Sequence, residues 1–133
     1  MNRRYARIKA VQALYQIEMT GADIADAIES VLEEEETPDE FFQQLLSGTV
    51  ESLHEVDPLL EESMEHWALS RLSRVDHAIM RMALYEIKSL EDIPVSVSIN
   101  EAIELARGFS GDADSGRFVN GVLSSAAESL KKN

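Results

Sequence analysis

An all-α fold of about seven helices is what this sequence predicts, on three observations. Apolar residues recur at i, i+3, i+4 and i+7, as in Ile99, Ala102, Ile103 and Ala106, the stripe that an amphipathic helix buries. Helix-start signals also recur. Asp23, Thr37-Pro38-Asp39-Glu40, Asp57-Pro58, Ser73-Arg74-Val75-Asp76 and Ser98-Ile99-Asn100-Glu101 carry N-cap residues, capping boxes or an early proline. Finally, no stretch alternates with period two for long enough to build a sheet. Val95-Ser96-Val97-Ser98-Ile99 alternates, but it runs straight into a helical stripe.

The first helix spans about Arg3 to Met19, being rich in Ala, Leu, Arg and Gln and free of Gly and Pro. At about 100° per residue Ile8, Val11, Leu14 and Tyr15 share one arc, and Arg4 and Arg7 fall on it upstream. Cations in the first turn oppose the helix dipole, and no acid follows until Glu18. After Thr20-Gly21, Asp23 caps a second helix that packs with Ile24, Ala27, Ile28 and Val31. Glu33-Glu34-Glu35-Glu36 reads as a solvated helix end and loop, because clustered acids repel one another. Thr37 is the expected cap of the third helix, with Pro38 in its first position and Glu40 closing the box. That helix carries Phe41, Phe42, Leu45, Leu46, Val50 and Leu53, and Gly48 in its middle admits the close approach of another helix. Asp57-Pro58 starts a fourth helix, to about Trp67, and Ser73 starts a fifth, with Val75, Ile79, Met80, Ala83, Leu84 and Ile87. Ile93-Pro94 breaks the chain; Ser98 caps the sixth helix, with Ser96 as the competing cap. Phe109 to Asp114 forms a loop. The last helix runs from Ser115 or Gly116 to Leu130, burying Phe118, Val119, Val122, Leu123, Ala126 and Ala127.

With 133 residues, 44% of them apolar, the chain makes one domain or two small subdomains sharing a core. The absence of cysteine excludes a disulfide framework and thiolate metal sites, and fits a reducing cytoplasm. No apolar run approaches the roughly 18 residues of a membrane span, and Met1-Asn2-Arg3-Arg4 leads into a charged helix. The net charge of −13 argues against a protein coated for nucleic acid. Its distribution says more. Arg3, Arg4, Arg7 and Lys9 stand in the first nine positions, and charges more than about 8 Å apart are largely screened at physiological salt. The cluster has two readings: a frayed, solvated terminus, or an arginine-rich arm that orders on a polyanion, RNA above all.

Catalytic patterns are weak. Glu51-Ser52-Leu53-His54 matches one Glu-x-x-His element, but carboxylate di-iron bundles need two such elements and two further glutamates. His66 and His77 have Ser63 and Arg74 three residues ahead. There is no Gly-x-Ser-x-Gly elbow, and Gly108, Gly111 and Gly116 fit no phosphate-binding loop. A binding protein with no catalytic residue, metal or cofactor is the expectation.

Three blocks carry a resemblance. They are Ala6-Arg7 through Ala10-Val11-Gln12-Ala13-Leu14-Tyr15, then Ala83-Leu84-Tyr85-Glu86, then Ile99-Asn100-Glu101-Ala102-Ile103-Glu104-Leu105-Ala106 with Phe118-Val119-Asn120-Gly121-Val122-Leu123. In this order and separation they resemble the NusB family of bacterial transcription antitermination factors, over nearly the whole chain. The resemblance implies two packed three-helix bundles, at about residues 3–67 and 73–131. It implies a partner, the small-subunit ribosomal protein NusE, and joint binding to the single-stranded boxA element of nascent transcripts, ribosomal RNA among them. RNA polymerase carrying that assembly resists termination.

Carried over by position, Arg4 and Arg7 match the family's RNA-binding arm, with Arg3 beside them and Lys9 a further phosphate contact. Tyr5 stands where arginine is frequent and offers a ring for base stacking. Asp114, Ser115, Arg117 and Phe118 fall where a loop and helix start meet the RNA, in a loop one residue longer than the common form. Tyr15, Asp76 and Arg81 fall on the face that resembles the NusE-binding surface. Several have structural readings beside these. Asp76 completes a capping box with Ser73, Asp114 or Ser115 suits an N-cap, Phe118 lies on the apolar stripe, and Tyr15 suits a buried aromatic. Two competing classes stay open: a carboxylate-bundle enzyme, and a helical adaptor binding only proteins. A homodimer, which would hide the basic arm, is open as well.

Overall fold

The computed structural model describes residues 1–67 and 72–131. The segment 68–71 between the two expected bundles and the terminal 132–133 lie outside the described residues. Among the described residues there are seven helices and no strand: α1 (Arg3–Thr20), α2 (Ile24–Val31), α3 (Glu40–Glu51), α4 (Leu53–Ser63), α5 (Arg74–Ser89), α6 (Val95–Ser110) and α7 (Ala113–Lys131).

Local chemistry explains most helix ends. Asn2 caps α1 by accepting the Tyr5 amide at 2.8 Å, and Gly21, at φ 72°, closes it in the left-handed conformation that glycine tolerates. Asp23 and Ser73 cap α2 and α5 as expected, accepting the Asp26 and Asp76 amides at 2.8 and 3.0 Å.

Four expected boundaries are corrected. The cap of α3 is Asp39, not Thr37. Its carboxylate accepts the Phe42 amide at 2.8 Å, and a carboxylate is the stronger acceptor at the positive end of a helix. Asp57-Pro58 does not start α4, which begins at Leu53 and holds Pro58 inside on its exposed side. Burial of Val56 and Leu60 holds that helix together, while the Asp57 carboxylate receives both forks of the Arg81 guanidinium. Neither Ser96 nor Ser98 caps α6, which starts after Pro94. Ser98 is buried in its second turn, with its hydroxyl donating to Glu86. Lastly, α7 starts at Ala113. Gly111, at φ 68°, ends α6, and Asp112 accepts the Asp114 amide at 2.9 Å, so the expected six-residue loop shrinks to two residues.

Helix α5 is the centre of the packing, with α1, α3, α4, α6 and α7 all against it. Its Ile79, Met80, Met82 and Leu84 are fully buried. Helix α1 packs on α2, α3 and α5, and α6 packs on α5 and α7. Helix α4 rests on α5 and α7 far more than on α3, while α1 and α3 also pack on α5. The close approach read from Gly48 is there: a Cβ at this position would stand 2.1 Å from the Tyr85 ring, so α3 sits directly on α5.

Candidate nucleic-acid interface

The basic start of α1 divides into an inward and an outward part. Arg7 is 3% exposed. Its Nε and Nη2 donate to the two Glu86 carboxylate oxygens at 2.9 and 2.8 Å, and the Ser98 hydroxyl donates to the same carboxylate at 3.0 Å. The Phe41 ring lies 5.3 Å from the guanidinium carbon. Withdrawing Arg7 toward a phosphate would strand the Glu86 charge inside the protein. Arg7, expected in the RNA-binding arm, is committed to Glu86 and ties α1 to α5. Lys9 is also turned in, its ammonium 5.3 Å from the Tyr5 ring centre and 3.9 Å from Glu33.

Arg3 and Arg4 point outward. Arg3 stacks on Phe41 at 4.5 Å and reaches Asp92 at 3.9 Å, with more than half of its side chain in solvent. Arg4 is 62% exposed and grips Glu101 of α6 with two hydrogen bonds of 3.1 Å. That grip holds its guanidinium above the usual arginine pKa. Arg4 lines a groove of about 300 Å³ between α1 and α6, with Ile8, Glu101, Glu104, Leu105, Gly108 and Phe109.

Tyr5 is half-buried, and its hydroxyl donates to Glu36 at 3.0 Å. Burial and that carboxylate together push the phenol pKa up. The Glu36 carboxylate is held below the usual range, first by the Glu33 amide and then by the Tyr5 hydroxyl. Glu33, Glu34 and Glu35 are exposed, as a solvated loop predicts, whereas Glu36 turns inward to tie that loop to α1.

At the α6–α7 junction the expected RNA contacts separate in the same way. Phe118 is 2% exposed and meets the Trp67 ring edge-on at 5.1 Å. Its place on the apolar stripe of α7 is matched by this core packing. Ser115 is buried, and its hydroxyl donates to Asp76 at 2.7 Å, so it joins α7 to α5. Arg117 is exposed and paired with Asp114, which sits one turn before it. Asp112, Asp114, Ser73, Ser110 and Asp76 line a cavity of about 270 Å³ here.

The third group also splits. Asp76, expected on the partner face, is 5% exposed and turned toward Ser115 of α7. Burial raises its carboxyl pKa, and the Ser115 and Ser73 hydroxyls pull it back. Arg81 forks onto Asp57 at 2.9 and 2.8 Å. It also lies 3.9 Å from Glu18, which is one turn beyond the half-buried Tyr15 on α1. Asp57, His77 and Arg81 line a cavity of about 600 Å³ with Trp67 and Leu72. Burial lowers the His77 pKa, and the neighbouring Arg81 charge lowers it further. Sequence reasoning missed Asp57, Glu18 and Glu101 as partners. The signal available was a row of acids on helix faces opposite unpaired arginines.

Comparison with known proteins identifies the family. The NusB family model matches residues 4–128. The transcription antitermination protein NusB of Shouchella clausii is 50% identical over 133 residues, covering all of this chain and 99% of that protein. Its counterpart in Bacillus subtilis is 47% identical over 133 residues, covering both proteins completely. Among solved structures, T. maritima NusB superposes with a TM-score of 0.83 at 37% identity, covering 96% of this chain and 92% of that one. A structure of antitermination factors NusB and NusE in complex with dsRNA has the same fold, with a TM-score of 0.81 at 24% identity over 97% and 99% of the two chains. An α-helical chain with this core, matched from end to end, belongs to the NusB family.

Proposed function

We propose that this chain is a transcription antitermination factor that binds boxA-type single-stranded RNA of nascent transcripts together with NusE, and so helps RNA polymerase resist termination, ribosomal RNA operons included. Its role there is binding and not catalysis, and its place is the cytoplasm, where transcripts emerge. The names of the relatives support this reading, as does the complex of related factors with NusE and dsRNA.

The observation that carries it is the outward grip of Arg4 across the α1–α6 groove, which ends at Gly108 and Phe109 beside the α6–α7 junction. In this reading Arg3 and Arg4 supply phosphate contacts, which fix position and most of the affinity. Asp114 and Arg117 meet base edges. A carboxylate repels phosphate, so the partners of Asp114 are exocyclic amines. Tyr15 and Arg81, at the join of α1, α4 and α5, form the NusE face.

Gel shift of a boxA RNA, with and without NusE, tests this directly. Binding that is enhanced by NusE and reduced by Arg4→Ala supports the reading. Co-elution with NusE but no RNA shift under any condition would leave a protein-only adaptor.

A further inference from the structure

Outward arginines of α1, α6 and α7 are already paired with acids of the same chain: Arg3 with Asp92, Arg4 with Glu101, Arg107 with Glu104 and Arg117 with Asp114. The Arg4 pair differs from the Arg3 pair in geometry. Arg4 donates two parallel hydrogen bonds of 3.1 Å, the planar fork that guanidinium also offers to a phosphate. Its partner is fixed. Glu101 is only 19% exposed, on the half-buried side of a 16-residue helix, whereas Arg4 is 62% exposed. A second acid on the groove wall, Glu104, adds to the field at Arg4. The contrast with Arg7 is sharp: both members of that pair are buried.

We infer that Glu101 is an affinity-setting residue, a built-in carboxylate that occupies the Arg4 fork until an RNA phosphate displaces it. This inference rests on the RNA-binding reading above. Exposed ion pairs are weak because water and salt compete for both partners, so the exchange is within reach of a phosphate that other contacts already hold in place. A stray anion gains little from it. Phosphate entry must also overcome repulsion from Glu101 and Glu104. Both effects hold affinity for polyanions in general below what the bare arginine would give.

The test is a double-mutant cycle on binding of a single-stranded boxA RNA oligonucleotide. It uses the wild type, Glu101→Gln, Arg4→Ala and the double variant, with Glu62→Gln on the far helix α4 as a control for net charge. Glu101→Gln is expected to tighten binding about two- to five-fold, Arg4→Ala to weaken it, and Glu101→Gln to have a clearly smaller effect once Arg4 is gone. Glu62→Gln is expected to leave affinity unchanged. Equal tightening by Glu101→Gln with and without Arg4 would reduce Glu101 to a distant repulsive charge and overturn the inference. Unchanged or weaker binding by Glu101→Gln, with Arg4 still required, would also overturn it while leaving the RNA-binding reading in place. If loss of Arg4 has no effect on RNA binding, that reading fails at this residue and the inference falls with it. A thermal melt of each variant checks that these surface changes leave the fold intact.

Discussion

Arg7 and Glu86 are the residues on which the fold and the interface part company. A buried, bidentate pair with a third hydrogen bond from Ser98 is weak evidence of net stability, but removing one partner strands the other. Arg7→Ala is expected to cost about 3–5 kcal/mol in urea unfolding, and Arg7→Met with Glu86→Leu is expected to recover much of it. A loss under about 1 kcal/mol would mean that water reaches Glu86 readily. Position on the α1 arc did not make the inward turn legible, because Arg4 shares that arc with Arg7 and yet stays exposed. The partner was not legible, since Glu86 is 79 residues away. Asp76 makes a second prediction. Its folded pKa is raised above the ordinary value of 3.8, first by burial. Its relative contribution therefore favours the fold below that value and is lost as pH rises through the folded pKa. Asp76→Asn keeps an acceptor for Ser115 and is expected to match or exceed the wild-type melting temperature at neutral pH, with the advantage vanishing in acid. A lower melting temperature at neutral pH would show that the charge itself is needed.

Helix identity was readable along almost the whole chain, because stripes such as Phe42, Leu45 and Leu46 or Val119, Val122 and Leu123 match the α-helical period and are buried as that period requires. Helix ends were less so. Thr37 and Asp39 are two acceptors within three residues, and both satisfy local rules. Asp39→Ala is expected to cost about 1 kcal/mol and Thr37→Ala nothing measurable, as read by chemical denaturation; the reverse order would move the cap back to Thr37. Pro58 misled for a related reason. An early proline marks a start only when no burial further upstream extends the helix, and Val56 supplies that burial. At the α3–α5 crossing, Gly48→Ala should gain about 1 kcal/mol of helix propensity. It is nevertheless expected to destabilise by about 1–3 kcal/mol, because the new Cβ would stand 2.1 Å from Tyr85. A more stable Gly48→Ala variant would mean that the Tyr85 ring swings clear at no cost.

At the scale of the whole molecule, an acidic body of net charge −13 presents Arg3, Arg4 and Arg117 at the surface, each next to an acid. The run of charges along the chain revealed the cluster but not its division. Arg7 and Lys9 turn inward while Arg3 and Arg4 turn outward, and tertiary packing alone decides which is which. The grouping of α4 with α5 and α7 was hidden for the same reason: its apolar face fits either bundle until its neighbours are known. The central claim is that Arg3 and Arg4, and not the inward pair, grip the RNA backbone. It is tested most directly by the salt dependence of boxA RNA affinity for the wild type and for the Arg3→Ala/Arg4→Ala variant. The account predicts weaker binding and a log–log slope shallower by about 0.7 for each phosphate that the variant no longer neutralises. Equal affinity and an unchanged slope would contradict it.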